Sequence, residues 1–314
     1  MLNSTNRLYH TCLAFTFVLP MTKCIGIILL SLVLFSSCEK AISFTPNSVG
    51  PLLVVEATIE NDQPPMVILS NSLDYFSEIS PQVLANSFVK DAEVTISNGT
   101  KTHQLKGYST DLGNGYSLYY YSIDSANLGT AFLGELAKSY TLTIKANGKE
   151  YTAGTTIPAL TKTIDSLWWE KAPKHPDTTK VMLMGRATDP PGFGNYIRYF
   201  TRVGKEPFYP GLNSVFDDQV VDGKTYSVQI ERGVNRNEDI DFDEYSFFTR
   251  GDTVTVKMTN IDKATFDFWR TVEYSYQSIG NPFSSPTKVL SNIKGGLGYF
   301  GGYAAQYTSL IIPK

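Results

Sequence analysis

Cysteine and basic charge are both scarce in this chain of 314 residues. Its three cysteines are Cys12, Cys24 and Cys38, so the rest of the chain has no thiols for a disulfide, a zinc cluster or a nucleophile. The 27 lysines and arginines are outnumbered by 30 aspartates and glutamates, which gives a net charge of −3. Nucleic-acid binding needs a basic stripe, and docking on anionic lipid needs a polybasic segment. The composition therefore excludes nucleic acid as a partner and excludes membrane binding by charge alone.

Catalytic signatures are also missing. The two histidines after the N-terminal segment, His103 and His175, lie in polar or proline-flanked stretches, where we expect exposed side chains. The sequence has no G-x-S-x-G elbow and no H-E-x-x-H motif. The stretch Gly296–Gly301 matches G-x-G-x-x-G, but no acidic residue follows it, as a dinucleotide site would require. We expect no enzymatic activity and no cofactor, although carboxylates that meet only in the fold leave glycoside hydrolysis open.

The chain does contain an apolar run near its start. Lys23 supplies a positive charge before Ile25–Phe35, a run that is much shorter than the roughly 20 residues a bilayer requires. This pattern is typical of a secretory signal peptide, which we assign to residues 1–37, with Met21 as an alternative translation start. A second apolar patch, Leu13–Pro20, leaves an uncleaved membrane anchor as the other interpretation.

A cysteine follows the small residues that end this segment. The stretch Leu34–Cys38 resembles the lipobox of bacterial lipoproteins. By that resemblance, Cys38 becomes the mature N-terminus and carries acyl chains. Two chains hold a protein stably on a membrane, whereas one binds only marginally. Residues 38–51 are polar with proline and glycine, so we expect them to form the lipidated cysteine and a short tether.

Short strands separated by turns dominate residues 52–160. Ala92–Ser97 alternates apolar and polar residues and runs into Asn98-Gly99, a strong hairpin signal. Leu136–Leu142 resembles the tyrosine-corner stretch of immunoglobulin-like folds, with Tyr140 as the corner residue. We therefore predict an all-β protein whose first domain is an antiparallel, immunoglobulin-like sandwich.

Residues 161–314 form the predicted second domain, which is also β-rich and sandwich-like. Its single predicted helix begins at Asp262, a suitable N-cap, and ends near Gln277. Ile261 and Phe266 are spaced as a hydrophobic staple across the start of that helix. We therefore predict two antiparallel β domains, the second carrying one helix.

Aromatic residues provide one candidate ligand site. Trp168 and Trp169 are adjacent, so on a strand their rings point to opposite faces of the sheet. An exposed indole can stack on a sugar or line an interface, and this pair is our candidate ligand-binding site. The alternative is that both rings are ordinary strand residues.

Three aspartates provide a candidate metal site. Asp239, Asp241 and Asp243 are two apart and would present their carboxylates on one side of an extended strand. Calcium prefers such oxygen ligands, but the glycine and glutamate of an EF-type loop are missing at the required positions. The alternative is a solvated acidic loop or edge strand, where charge blocks unwanted strand pairing.

A series of short motifs runs along the chain: Cys38–Lys40, Leu53–Ala57, Tyr140–Ile144, Gly148–Tyr151, Ile157-Pro158, Ile164–Ser166, Asp189-Pro190, Asn195-Tyr196, Asn281–Phe283, Asn292-Ile293 and Gly295–Phe300. In this order the motifs resemble the domain-of-unknown-function family 4249, outer-membrane lipoproteins of Gram-negative bacteria. The resemblance implies an all-β lipoprotein that often accompanies TonB-dependent transporters. It supplies no catalytic residues.

These observations combine into one functional expectation. We expect a non-enzymatic outer-membrane lipoprotein, anchored through Cys38, that binds a nutrient or a TonB-dependent transporter; the sequence leaves open which membrane face it occupies. The alternative is a glycan-binding or glycan-active envelope protein that uses its exposed aromatic residues. A structural envelope protein without a ligand is the third interpretation.

Overall fold

The computed structural model describes residues 50–73, 77–281, 283–285 and 287–314. The predicted signal peptide, Cys38 and nearly all of the tether lie outside these ranges. Strands dominate the described residues, so the prediction of an all-β protein is confirmed. Neither helix in the described ranges combines the length and hydropathy that crossing a bilayer requires.

The elements follow one another in the order β1 (Leu53–Glu60), β2 (Met66–Asn71), α1 (Pro81–Ser87), β3 (Glu93–Ser97), β4 (Thr102–Gly113), β5 (Tyr116–Ile123), β6 (Lys138–Ala146), β7 (Lys149–Ile157), β8 (Thr163–Lys171), β9 (Lys180–Thr188), β10 (Tyr196–Val203), β11 (Tyr209–Phe216), β12 (Thr225–Ile230), β13 (Phe248–Thr249), β14 (Thr253–Ile261), α2 (Lys263–Gln277) and β15 (Leu297–Ile311).

The first seven strands have the topology of an immunoglobulin constant-type domain. β1, β2, β5 and β4 are neighbours in one sheet, and β3, β6 and β7 are neighbours in the other. This is the ABED and CFG arrangement of that fold. The long strand β4 pairs first with β3 and then with β5, so it links the two sheets. The immunoglobulin-like prediction is therefore confirmed.

The core of this half follows the alternation of its strands. Leu53, Val55, Ala57 and Ile59 of β1 are buried, while the residues between them are half-buried or exposed. Each strand sends alternate side chains to opposite faces, so this pattern directs one face of β1 into the sandwich. The inward residues of β2, β3, β6 and β7 complete one hydrophobic cluster.

Tyr140 occupies the predicted corner position near the start of β6. The side chain is buried, and its hydroxyl accepts a hydrogen bond of 2.7 Å from the backbone N–H of Glu135. The ring stacks on Phe132, with 5.9 Å between the ring centroids. A buried hydroxyl needs such a partner, so this bond fixes the chain before β6 at no desolvation penalty.

The second half is built from a second pair of sheets. β9 pairs with β8 on one side and with β12 and β13 on the other, and β10, β11, β14 and β15 form the facing layer. Leu183 of β9, Phe248 of β13 and Val256 of β14 are fully buried in the cluster between the layers. The two layers share this core, so the second half is sandwich-like, as predicted.

The glycine-rich stretch near the C-terminus lies in β15, which joins the two halves. β15 pairs in parallel with β1 and antiparallel with β14, so one eleven-stranded sheet passes through both halves. A Cβ at Gly302 would lie 2.5 Å from the carbonyl oxygen of Thr156 in β7. The glycine therefore permits close backbone approach. The domain boundary at residue 160 stays a prediction.

The helix α2 begins and ends where the sequence predicted. Asp262 caps it, because one carboxylate oxygen accepts from the backbone N–H of Thr265 at 2.9 Å. The other oxygen accepts from the hydroxyl of Thr155 at 2.7 Å and the N–H of Thr156 at 3.0 Å. One side chain thus caps the helix and ties it to β7. The short helix α1, capped by Ser80, was not predicted.

Candidate functional site

A cavity of about 960 Å³ lies inside the C-terminal sandwich, between β9 and β12 on one side and β10, β11 and β14 on the other. Its volume is at the upper end of the range of roughly 300–1,000 Å³ that small-molecule sites occupy. Apolar side chains dominate its walls, among them Ile197, Val215, Val228, Ile230, Val256 and Met258. A binding site for a small, mainly apolar molecule would have this kind of lining.

Two glycines shape the walls of this cavity. Gly185 lies in β9, where a Cβ would come within 2.7 Å of Ile230 Cδ1. Gly211 lies in β11, where a Cβ would come within 2.1 Å of the Tyr199 hydroxyl. Tyr199 therefore lies against bare backbone, and it stacks on Phe216 with 6.1 Å between centroids. Because the two glycines have no side chains, Ile230 and Tyr199 can pack directly against the strand backbone and line the cavity.

Exposed apolar residues surround the opening. Phe216, Val220 and Val228 line the cavity and are 45%, 80% and 47% exposed. Single exposed apolar residues are common, but a group of them around an apolar cavity marks a contact surface for a ligand or partner. The rim is therefore part of the candidate site.

A few polar groups converge on the same cavity. Arg186, Arg270 and Glu231 contribute to its lining. Burial raises the pKa of the nearby Tyr199 hydroxyl, and the charge of Glu231 raises it further, so the hydroxyl remains a donor at neutral pH. Polar groups of this kind fix the orientation of a ligand in an otherwise apolar site.

The segment between β11 and β12 forms one end of the cavity, and hydrogen bonds to the loop after β9 hold it in place. Asp218 accepts hydrogen bonds from the backbone N–H of Asn195 at 2.8 Å and from its side-chain amide at 3.2 Å. Burial alone would raise the pKa of Asp218, but these hydrogen bonds outweigh burial and lower it. Asp222 accepts from the N–H of Gly192 at 2.6 Å. The loop after β9 thus anchors this wall.

A third carboxylate, the buried Asp189, lies beside the buried Asp218 and the half-buried Asp222. Asp189 directly follows β9, and Lys162 Nζ lies 2.6 Å from its Oδ1. One oxygen each from Asp189, Asp218 and Asp222 falls within 4.8 Å of the others. Sequence reasoning missed this trio, because Asp189 is distant in the chain from Asp218 and Asp222 and meets them only when β9 and the β11–β12 segment come together. The Asp189-Pro190 motif was the only local signal.

Trp168 and Trp169 lie on β8 and diverge as the sequence indicated. Trp169 packs against the core of the C-terminal sandwich, with the Arg250 guanidinium 4.6 Å from its ring centroid. Trp168 donates from Nε1 to Glu170 at 2.8 Å, on the other side of the strand. The structure therefore does not bring the two rings together, and a ligand-binding role for either stays a prediction.

Asp239, Asp241 and Asp243 lie in an exposed run of turns before β13. The extended strand that the metal hypothesis assumed is not present here, because the backbone N–H groups of Glu244 and Tyr245 donate to the carbonyl of Asp241. The alternative of a solvated acidic loop describes what is observed. A role in metal binding for these three residues stays a prediction.

The histidines also differ from expectation. His103 is only 1% exposed, with Nδ1 2.9 Å from the hydroxyl of Thr130 and Nε2 accepting from the N–H of Asp124 at 3.0 Å. The expectation of an exposed ring was wrong for this residue, since the alternation of β4 turns it inward. His175 lies 3.1 Å from Glu244. Both nitrogens of His103 are occupied, so it is not available as a catalytic base in this arrangement.

Comparison with known proteins identifies a family. No curated protein matches the chain. The family model described as "Domain of unknown function (DUF4249)" matches residues 39–309, which include nearly all of both sandwiches, the cavity lining and the carboxylates of Asp189, Asp218 and Asp222. On this evidence the chain belongs to the DUF4249 family.

Proposed function

We propose that this protein is a lipid-anchored, non-enzymatic binding protein of the outer membrane that holds a small, mainly apolar ligand in the C-terminal cavity. The observation that carries the proposal is the cavity itself, with its apolar walls and open apolar rim. Its size suits a small molecule, and its few charged groups suit recognition of one polar end.

The anchor part of the proposal rests on the sequence. Cys38 follows a signal-peptide pattern and two small residues, and thioether-linked acyl chains at that cysteine would hold the protein on a membrane. The test is intact-mass analysis of protein extracted from bacterial membranes. A mass increase on the N-terminal peptide at Cys38 is expected, and an unmodified cysteine would contradict the anchor without affecting the cavity.

The ligand part is tested with the apolar fluorophore anilinonaphthalene sulfonate and with matched valine variants. Val228 lies at the rim of the cavity and is 47% exposed, so Val228→Trp adds bulk at the opening with little effect on the core. The indole would occupy space at the opening, and binding should weaken by at least about tenfold, which corresponds to about 1.4 kcal/mol. Val289→Trp, at an exposed position outside the cavity lining, is the control and should leave binding unchanged.

Equal binding by the two variants would contradict a ligand site in this cavity. Native mass spectrometry of the detergent-extracted protein then identifies what the site carries. A co-purifying small molecule that is lost in Val228→Trp and kept in Val289→Trp is the expected result.

We further propose that the protein is an accessory component of TonB-dependent nutrient uptake. The support is membership of a family whose members, by the resemblance stated above, often accompany such transporters. Crosslinking in intact cells followed by affinity purification should recover a TonB-dependent transporter. Recovery of the protein without one, under conditions that preserve other envelope complexes, would contradict this part.

Glycan binding remains the second candidate. The specific observation in its favour is the half-exposed Trp168, with Glu170 hydrogen-bonded to its indole and the Arg186 guanidinium 6.0 Å from the ring centroid. A glycan array with the wild type, Trp168→Ala and the double alanine variant at Trp168 and Trp169 tests it. Unchanged glycan binding in the variants would remove this candidate.

A further inference from the structure

We propose that the Tyr199 hydroxyl is the specificity-determining donor of the C-terminal cavity, and that it selects apolar ligands with a neutral oxygen acceptor such as a ketone, an ester or an alcohol. Tyr199 lies on β10 and is part of the cavity lining. This inference rests on the proposed function, because it assigns the class of ligand that the cavity takes.

A bulge in β11 lies opposite Tyr199. The segment Gly211–Ser214 is opposite Tyr199 alone, so four residues of one strand face one residue of the other. Bulges interrupt the hydrogen-bond ladder and change the direction of side chains, and they are common next to functional sites. Ile197 and Tyr199 are two apart on β10, so both side chains face the space between the layers, and both line the cavity.

The helix α2 holds this bulge in place. Glu273 accepts hydrogen bonds from the backbone N–H of Ser214, at 3.0 Å, and from its hydroxyl. Gln277 donates to the side-chain oxygen of Asn213 at 2.6 Å. The backbone opposite Tyr199 is therefore fixed by the fold itself, as in the largely pre-formed sites that bind small molecules.

The Tyr199 hydroxyl is available to a ligand. No residue in the described ranges forms a hydrogen bond with it, and Gly211 leaves room beside it, since a Cβ there would lie 2.1 Å from the hydroxyl oxygen. A ligand that fills the cavity excludes water from this hydroxyl, and a buried donor without a partner costs free energy. A ligand with an oxygen acceptor avoids that cost, whereas a hydrocarbon of the same shape does not.

The charges near the hydroxyl favour a neutral acceptor over an anion. Burial raises the pKa of Tyr199, and the negative charges of Glu231 and Glu273 raise it further. The exposed Arg186 and Arg270 of the lining do not lower this pKa. A carboxylate placed here would be repelled by Glu231, because like charges disfavour each other's charged form. A ketone, ester or alcohol oxygen accepts the hydrogen bond without that repulsion.

The experiment compares two ligands of similar shape, 2-acetylnaphthalene and 2-isopropylnaphthalene, in which a methyl group replaces the ketone oxygen. Each is titrated into purified full-length protein loaded with anilinonaphthalene sulfonate, and its affinity is measured from the loss of fluorescence. The wild type should prefer the ketone. Tyr199→Phe removes only the hydroxyl and should lower the ratio of the two affinities by about fivefold, the scale of one neutral hydrogen bond.

Two further variants serve as the control and as the test of charge. Tyr274→Phe, at a residue that is 48% exposed and outside the cavity lining, should leave the affinity ratio unchanged. Glu231→Gln removes the negative charge and should strengthen binding of 2-naphthoate relative to the ketone.

The outcomes separate this inference from the proposed function. An equal loss of affinity for both naphthalenes in Tyr199→Phe would show a merely structural role for Tyr199 and would overturn the inference, as would an unchanged ratio, while the cavity stays a ligand site. If neither naphthalene displaces the fluorophore from the wild type, the proposed function is contradicted and this inference with it.

Discussion

His103 is buried in the N-terminal sandwich as a neutral ring. Its Nε2 accepts a hydrogen bond from Asp124, so the proton resides on Nδ1 and is donated to Thr130. Burial lowers the pKa of the ring, and the nearby carboxylate of Asp124 offsets this only in part. Protonation therefore opposes folding, because a charged ring loses its acceptor at Nε2 and is poorly solvated.

This arrangement predicts a stability loss in mild acid. The folded-state pKa lies below the unfolded value of about 6.5, so the stabilisation is complete above that pH and is lost as the pH falls towards the folded-state pKa. Urea unfolding at about pH 7 and about pH 5 should show a loss in the wild type that is smaller in His103→Gln. An identical pH dependence in the two proteins would contradict the assignment.

The hydroxyl of Tyr140 is the second residue-scale feature. Tyr140→Phe removes the acceptor of the Glu135 N–H from a part-buried hydrogen bond. The expected loss in the free energy of unfolding is about 0.5–1.5 kcal/mol. Tyr274→Phe, at a residue that is 48% exposed, is the control, and its effect should stay within about 0.5 kcal/mol. Equal effects of the two variants in a urea titration would show that the hydrogen bond between Glu135 and Tyr140 does not contribute to the free energy of unfolding.

At the scale of elements, the contact between β15 and β7 depends on the absence of a side chain. A Cβ at Gly302 would overlap the backbone of Thr156, and backbone cannot move aside as the end of a side chain can. Gly302→Ala should therefore cost about 1–3 kcal/mol of stability through overpacking.

Gly154 in β7 provides the comparison for this prediction. The nearest atom to a Cβ there is the Tyr140 carbonyl oxygen at 3.8 Å, an ordinary contact distance. Gly154→Ala should therefore be close to neutral in the same urea assay. If both variants lose the same stability, the close approach of β15 to β7 is not the cause.

At the scale of the whole molecule, β15 contributes to both cores. Phe300 and Ala304 belong to the cluster of the N-terminal sandwich, and Ile312, directly after β15, belongs to that of the C-terminal sandwich. Loss of one half would expose apolar surface of the other at this strand. We therefore expect the two halves to unfold together.

Coincident transitions test this expectation. The three tryptophans, Trp168, Trp169 and Trp269, all lie in the C-terminal half, so their fluorescence reports on that half. Far-ultraviolet circular dichroism reports on strands throughout the chain. The two urea transitions should have the same midpoint, as a two-state protein requires. Separate midpoints would instead support two independent domains divided near residue 160.

Local features of this protein were predictable from sequence because each depends on near neighbours. The alternation of β1, the hairpin after Ala92–Ser97, the Asp262 cap and the tyrosine corner all involve residues a few positions apart. The helix was predicted to within a residue at its start for the same reason. For the acidic run around Asp241 the sequence left a solvated loop and an edge strand open, and turn hydrogen bonds to the Asp241 carbonyl form the loop.

The amino-acid sequence by itself determined that the chain forms an all-β protein with an immunoglobulin-like first half and the helix α2, since periodicity and capping are local. Only the tertiary structure decided that β15 pairs with β1, that a cavity opens between β9 and β11, and that Asp189 meets Asp218 and Asp222. These contacts join segments that are distant in the chain. Which segments pair depends on which faces can be buried together, and this cannot be deduced from the residue pattern of one segment alone.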